Sequence, residues 1–259
     1  MDHLFNAGAI AQRLDDSPYY HPMSILTYAA AKTERVTLGT SVTVLPYHHP
    51  VELAKYAATL DHLSNGRLVL GVGAGLVEEE FDALGIPFAE RGPRTTEAML
   101  AMKALWTQPY PSFEGRYWRF SGLAFSPRPL QQPHIPLWVG GGSRPAMRRA
   151  ATVGDGWHPS AIPPEKCAGQ IAATRELARQ AGRDPAALVM SMRIGVARDA
   201  ASTKPDQVPS DPASLHRTLT GYRDAGLDHA VLALDWGDAD ELAAMMARTA
   251  RDVLPDLRA

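Results

Sequence analysis

The residues 60–80 read LDHLSNGRLVLGVGAGLVEEE, and this stretch decides the fold. A short apolar run reaches glycines at alternate positions, Gly71, Gly73 and Gly75, before a helical pattern opens. Alternate residues of a β-strand share one face, so these glycines would clear a strip of side chains near the carboxyl end of a buried strand. A flat ring could lie against bare backbone there. Close packing of a helix or a barrel corner would require the same glycines.

The glycine spacing argues against a doubly wound dinucleotide-binding fold. G-x-G-x-G lacks the wider last gap of that fingerprint, and no acidic residue ends a second strand about 20 residues further on. The rest of the chain has to supply the fold class.

Composition excludes several function classes. The chain has 259 residues, of which 45% are hydrophobic, and 26 basic side chains against 28 acidic ones, so it can bury one sizeable core and offers no basic field for nucleic acid. A single cysteine, Cys167, fits a reducing compartment. No apolar run approaches the ~18 residues that span a bilayer, and residues 1–3 open no signal peptide. We therefore expect a cytoplasmic protein with a small-molecule substrate and with no nucleic-acid or membrane partner.

Strand and helix patterns alternate along the chain, which predicts an α/β fold with a parallel sheet. A proline- and aromatic-rich excursion at 108–136, with a short hairpin around 114–120, interrupts the alternation. We expect one domain over residues 1–259 with the architecture of a (β/α)8 TIM-type barrel, incomplete because about six of the eight strands can be named. The predicted strands are 36–44, 68–73, 137–140, 156–158, 188–196 and 230–234, and the predicted helices are 22–34, 50–63, 78–84, 95–106, 145–153, 165–181, 212–225 and 239–254.

Two long segments carry a family resemblance. The run from HPMSILTYAAAKTERVTLGTSVTV through GVGAGLVEEEFDALGIPFAERG, followed by PLWVGGGSRPAMRRAATVGDGWHP, resembles the bacterial luciferase-like monooxygenase family, in particular its subgroup that depends on the deazaflavin coenzyme F420. The resemblance implies an oxidoreductase that uses reduced F420 or a flavin to reduce or oxygenate a small organic substrate. It also implies a homodimer, and a strand-helix-strand unit before Asp2-His3 that this chain lacks.

The resemblance assigns residues around the ring of the cofactor. Ser41-Val42 matches a bulged strand with a non-prolyl cis peptide that supports the central ring, although a strand serine satisfied by its neighbours is the alternative. Ala74-Gly75 matches the backbone beside the ring. Asp2-His3 matches a dipeptide at a strand end, which makes Asp2 a cofactor-side residue and His3 the candidate catalytic acid or base.

One position departs from the pattern. Some F420-dependent dehydrogenases carry an acidic catalytic residue directly after the position of Gly75, and Leu76 stands there in this chain. Proton transfer by a carboxylate at that point is therefore not expected.

A second motif points to a phosphate. Gly140-Gly141-Gly142-Ser143 lies between a strand and a helix, where backbone N–H groups and the helix dipole favour an anion, and it matches the phosphate-binding turn of the family. A flexible turn is the alternative. Trp157 is expected either to wall the cofactor pocket or to pack in the core.

Other interpretations remain open at this point. FMN could replace F420 and make the protein a monooxygenase, and a partial barrel could bind a cofactor or a partner without turnover. A metal-dependent hydrolase lacks a convincing ligand set, since His48 and His49 diverge from each other. Glu80 is expected to form a structural ion pair with Arg91.

Overall fold

Parallel strands and helices alternate through both halves of the chain. The computed structural model describes residues 2–5, 19–199 and 206–257. They form two compact units: unit 1 holds the described residues up to 140 together with 153–155, and unit 2 holds 141–152 and the described residues from 156 onward. That residues 1–259 form one domain stays a prediction. Most of the loop expected at the start of the chain, residues 6–18, lies outside the described residues.

Unit 1 is built around one apolar strand, β3 (Leu68–Gly73). It pairs in parallel with β1 (Leu38–Gly39) and β2 (Thr43–Val44) on one side and with β6 (Leu137–Gly140) on the other, with Leu38 opposite Leu68 and Leu70 opposite Leu137. The helices cover these strands with alanine, leucine and methionine side chains. The elements are α1 (Pro22–Lys32), β1 (Leu38–Gly39), β2 (Thr43–Val44), α2 (Pro50–Leu63), β3 (Leu68–Gly73), α3 (Glu78–Ala83), α4 (Arg91–Thr107), β4 (Phe113–Glu114), β5 (Arg119–Phe120) and β6 (Leu137–Gly140).

Unit 2 is built on its longest strand, β8 (Val189–Val196). This strand pairs in parallel with β7 (Gly156–His158), β9 (Gln207–Val208) and β10 (His229–Leu234). Met190, Met192 and Ile194 are buried at alternate positions, as expected for one face of a strand covered by helices. The elements are α5 (Arg144–Thr152), β7 (Gly156–His158), α6 (Pro164–Gln180), β8 (Val189–Val196), β9 (Gln207–Val208), α7 (Pro212–Asp224), β10 (His229–Leu234) and α8 (Ala239–Asp252).

Helix starts follow the local sequence. Proline opens α2, α6 and α7, where its missing N–H has no intrahelical partner to lose. Asp211 caps α7 by accepting from the Ser214 N–H, and Asp238 caps α8 by accepting from the Glu241 N–H. These signals explain why the predicted bounds agree with the observed ones to within a few residues.

Two predicted elements need correction, and one short strand is additional to the prediction. The strand expected at 36–44 is two short strands, because Thr40–Val42 leaves the extended course between β1 and β2. The helix expected from residue 95 begins at Arg91, since Pro93 fits its first turn. The short strand β9 was not predicted.

The excursion at 108–136 carries the expected hairpin, β4 paired antiparallel with β5. Two carboxylates of unit 1 hold it in place. Glu97 of α4 accepts from the backbone N–H groups of Arg116, Tyr117 and Trp118. Asp61 of α2, which is buried, accepts from the backbone N–H groups of Leu130 and Gln131.

No helix in the described ranges combines the length and the apolar composition that a membrane crossing demands.

Candidate functional site

A bulge between β1 and β2 is the centre of the site in unit 1. The Ser41–Val42 peptide bond is cis, as the family resemblance implies for this position. The Thr40 hydroxyl donates to the Gly71 carbonyl oxygen at 2.7 Å, which ties the bulge to β3. The backbone of Thr40–Val42 therefore turns inward against the glycine strand.

The glycines of β3 and β6 make room for this bulge. A Cβ on Gly71 would lie 2.0 Å from the Thr40 carbonyl oxygen, and a Cβ on Gly73 would lie 2.7 Å from a methyl group of Val42. A Cβ on Gly140 would lie 2.9 Å from the other Val42 methyl group. The open strip expected over Gly71 and Gly73 is therefore filled by the chain itself, which agrees with the close-packing alternative.

Gly75 serves a different purpose from Gly71 and Gly73. Its φ of +79° is one that residues with a side chain rarely adopt, and a Cβ there would lie 2.8–2.9 Å from atoms of Phe81 and Val44. Ala74 and Gly75 are partly exposed, whereas Leu76 is 77% exposed. The Ala74-Gly75 backbone thus leaves the carboxyl end of β3 without a large side chain over it.

A cleft of about 310 Å³ opens on the bulge. Its wall on one side is the backbone and side chains of Gly39–Val42, and on the other side Tyr19, Tyr20 and the first turns of α1. Binding clefts for small organic ligands and cofactors start at about 300 Å³ and are mostly apolar with a few polar groups. Ser41, which is partly exposed, supplies a hydroxyl at this wall.

Asp2 supports the strand behind the bulge. Its Oδ2 accepts from the Val44 N–H at 2.8 Å and lies 2.7 Å from His48 Nε2. The residue is buried, so these contacts replace the water that its carboxylate gives up. Asp2 therefore acts on the site indirectly, through its contacts with β2 and the His48 ring.

His3 is held by the buried carboxylate of Glu80. His3 Nδ1 lies 3.2 Å from Glu80 Oε2, and the Tyr47 hydroxyl donates to that same oxygen at 2.8 Å. Burial and the Glu80 carboxylate raise the pKa of Tyr47, which keeps its phenol protonated as a donor. No local pattern indicates this cluster, because its members are far apart in the sequence.

The expected pair of Glu80 with Arg91 is wrong. Arg91 donates to the Phe88 carbonyl oxygen and its guanidinium lies 3.9 Å from the centre of the Phe88 ring. The Glu80 side chain is instead buried in unit 1, where it contacts His3 and Tyr47.

His48 and His49 take separate structural roles. His48 meets Asp2, whereas His49 accepts from the Val51 N–H at the start of α2. Within residues 2–5, 19–199 and 206–257, no group of three histidine, cysteine or carboxylate side chains is placed to hold a metal ion.

The glycine turn of unit 2 precedes α5. Gly141 adopts a φ of +102°, and Gly141, Gly142 and Ser143 are exposed. The Ser143 hydroxyl lies 3.4 Å from the Ala146 N–H, so Ser143 marks the start of the helix. An exposed turn of this kind in front of a helix presents backbone N–H groups outward.

Trp157 stands behind this turn. Its ring is fully buried and its Nε1–H donates to the Gly141 carbonyl oxygen at 2.9 Å. The ring is packed inside unit 2 and its hydrogen bond orients the turn. That Trp157 walls a cofactor pocket stays a prediction.

His158, a buried histidine of unit 2, was not predicted as a candidate functional residue. His158 Nδ1 lies 2.9 Å from the Ser191 hydroxyl on β8, and burial, His229 and Arg193 lower the pKa of His158 to about 4. A neutral histidine therefore lies beside Ser191, and His229 stands opposite Ser191 in the register of β8 and β10. The alternation of apolar residues on β8 could have revealed Ser191 and Arg193 as an opposite, polar face.

Comparison with known proteins gives one family. The model of the luciferase-like monooxygenases matches residues 1–253. An F420-dependent glucose-6-phosphate dehydrogenase of Intrasporangium calvum is 30% identical, over 91% of this chain and 84% of that protein. An FMNH2-dependent dimethylsulfone monooxygenase of Pseudomonas putida is 39% identical over 104 residues, which are 39% of this chain and 28% of that protein.

Solved structures agree on the fold. The coenzyme F420-dependent tetrahydromethanopterin reductase of Methanopyrus kandleri superposes with a TM-score of 0.77 at 19% identity, over 92% of this chain and 88% of that one. This superposition and the parallel strand-helix order of both units confirm the predicted α/β class. The fold is of the (β/α)8 type, with six principal positions for parallel strands.

Proposed function

Because this chain belongs to the luciferase-like monooxygenase family, we propose that it is an oxidoreductase that binds reduced coenzyme F420 and reduces a small organic substrate. The observation that carries the proposal is the inward bulge at Thr40–Val42, which fits the glycines of β3 and β6 and lines a cleft of about 310 Å³. Such a bulge presents main chain and one small hydroxyl to a flat ring.

We favour F420 over FMN because the F420-dependent relatives align with a larger share of this chain. Two F420-dependent glucose-6-phosphate dehydrogenases align with 91% and 90% of this chain at 30% identity. The FMNH2-dependent relative aligns with 39% of it, although at higher identity. FMN is therefore the second candidate cofactor, and it would make the reaction an oxygenation.

The residues of unit 1 fit a planar ring. In this proposal Ser41 and Val42 support the ring through the bulge, and the Ala74-Gly75 backbone lies beside it because no large side chain stands there. Asp2 acts from behind, through the Val44 N–H and the His48 ring. The bound cofactor would supply a hydride.

The residues of unit 2 fit an anionic group. We assign the phosphate of the cofactor to the turn of Gly141, Gly142 and Ser143, preceded by Gly140 at the end of β6. The positive φ at this position favours glycine, and the Trp157 Nε1–H holds the Gly141 carbonyl oxygen by a hydrogen bond. The N–H groups at the start of α5 and the helix dipole would favour the negative charge.

His3 is the proposed acid or base. Its ring is held at Nδ1 by Glu80, and histidine exchanges protons near neutral pH. The carboxylate found next to Gly75 in some relatives is replaced by Leu76, which leaves His3 as the proton-exchanging residue of this proposal.

Compartment and oligomeric state belong to the same proposal. We propose a cytoplasmic homodimer. Cys167 is buried, and burial raises the pKa of its thiol to about 11, so the only cysteine of the chain is not poised for oxidation. Sedimentation equilibrium of the purified chain tests the dimer, and a monomer at all concentrations would contradict it.

Titration of the purified chain with each cofactor tests the function. We expect reduced and oxidised F420 to bind, with FMN weaker, and Gly141→Ala to weaken F420 at least tenfold, because alanine disfavours the φ of +102°. Gly169→Ala is the matched control, since a Cβ at Gly169 meets no atom within 4 Å. Absence of binding for both cofactors would overturn the proposal, and tighter FMN binding would favour the monooxygenase.

A further inference from the structure

Glu80 differs from its two acidic neighbours. Glu78, Glu79 and Glu80 all lie in the first turn of α3, where the helix dipole favours carboxylates. Glu78 and Glu79 are exposed, but Glu80 has no exposed surface. A carboxylate is expensive to bury unless donors replace its water, so its partners reveal why it is inside.

Three groups converge on this carboxylate. The Leu4 N–H donates to Oε1 at 2.5 Å, the Tyr47 hydroxyl donates to Oε2 at 2.8 Å, and His3 Nδ1 lies 3.2 Å from Oε2. An ionised carboxylate can only accept hydrogen bonds. With Glu80 as the acceptor of all three contacts, His3 Nδ1 carries the hydrogen and Nε2 remains for exchange with another molecule.

The contact also holds the backbone on which His3 stands. Leu4 is the next residue, and its N–H is fixed by the same side chain that holds the His3 ring. The Tyr19 ring packs edge-on against the His3 ring, with their centres 5.1 Å apart. These contacts hold the His3 ring on two sides, and its side chain keeps 14% of its surface exposed.

We propose that Glu80 is the positioning residue of His3, which pins the Nδ1–H tautomer and aims Nε2 at the substrate. This inference rests on the proposed function, in which His3 exchanges a proton. A base that is itself oriented by a third group is a recurrent arrangement in proton-transfer sites. Removal of such an orienting partner at metal sites lowers activity about 10- to 100-fold, and we expect a loss in that range.

The first test measures the His3 tautomer in the 259-residue chain without any cofactor. Nitrogen NMR spectra of ¹⁵N-histidine-labelled protein, with His3 assigned by His3→Gln, should show the Nδ1–H form in the wild type. In Glu80→Gln we expect a mixture of both tautomers, because an amide both donates and accepts. Glu79→Gln, with the same charge change on an exposed neighbour, should leave the Nδ1–H form intact.

The second test measures turnover with the cofactor that binds. Glu80→Gln should lower kcat about 10- to 100-fold while KM and the cofactor Kd change less than threefold. Glu80→Asp keeps the charge and should recover part of the rate, and it also serves if Glu80→Gln does not fold. Glu79→Gln should match the wild type.

The outcomes separate this inference from the proposed function. A His3 ring that stays Nδ1–H in Glu80→Gln, or a kcat within twofold of the wild type, overturns the positioning role while cofactor binding stands. A wild type that binds neither cofactor overturns the function, and the tautomer result then still decides whether Glu80 orients His3. A rate that His3→Gln does not lower removes the catalytic part of the inference.

Discussion

Gly71 has no side chain because the carbonyl oxygen of Thr40 occupies that space, 2.0 Å from where a Cβ would lie. The obstacle is backbone, so it cannot rotate away as a long side chain could. The residue is therefore required by the bulge it contacts, whatever the chain binds.

We predict that Gly71→Ala destabilises the protein by about 1–3 kcal/mol, the cost of forcing atoms into a packed core. Urea unfolding followed by circular dichroism measures the difference. Gly169→Ala should have the opposite sign and stabilise by roughly 0.5–1 kcal/mol, because Gly169 lies in helix α6 with nothing within 4 Å of a Cβ. Equal stability of Gly71→Ala and the wild type would show that the bulge can move.

At the scale of elements, the excursion at 108–136 depends on carboxylates from two helices. Glu97 receives three successive backbone N–H groups of the turn between β4 and β5, and Asp61 receives those of Leu130 and Gln131. A segment with little helix or strand of its own is ordered by these bonds, since each N–H would otherwise require water.

We predict that Glu97→Gln loosens the hairpin and costs about 1–3 kcal/mol, since the amide leaves backbone donors unsatisfied. Hydrogen exchange at residues 116–118 should accelerate. Glu114→Gln is the control: Glu114 lies in the same hairpin, but it forms an exposed ion pair with Arg119, and such pairs contribute about 0–1 kcal/mol. Unchanged exchange in Glu97→Gln would refute the role of Glu97 as an anchor.

At the scale of the whole molecule, the buried His158 links stability to pH. Its pKa in the folded chain is about 4, below the value of about 6.5 in an unfolded chain. Between these two values the unfolded state binds the proton and the folded state does not, so stability falls as the pH falls through this window.

We predict that the wild type loses stability towards pH 4 more steeply than His158→Gln, by at most about 1.4 kcal/mol per pH unit. Unfolding in urea between pH 7 and pH 4.5 measures both chains. A constant difference between them across this range would mean that His158 does not carry the effect.

Cofactor binding should also stabilise the whole chain. A ligand at 100 times its Kd adds about 2.7 kcal/mol if it binds only the folded state, which raises the Tm by roughly 5–10 °C for a chain of this size. We predict such a shift with F420 and a smaller one with FMN at equal concentration. The reverse order would assign FMN to the site.

The sequence predicted most elements, because proline starts, caps and apolar periods are local. The helix starts at Pro50 and Pro212 and the strand at Leu68–Gly73 agree with their predicted positions. The cis bond at Ser41–Val42 followed from family resemblance, since no local property of a serine and a valine requires it.

By itself, the sequence determined the order of strands and helices and the family of the chain, since both are written in patterns of neighbouring residues. Only the tertiary structure decided what the glycines accommodate and which partner Glu80 takes. Val42 fills the space at Gly73 and Gly140, and Glu80 meets His3 rather than Arg91. Such contacts join residues far apart in the chain, and their energies depend on packing and burial, which exist only once the chain has folded.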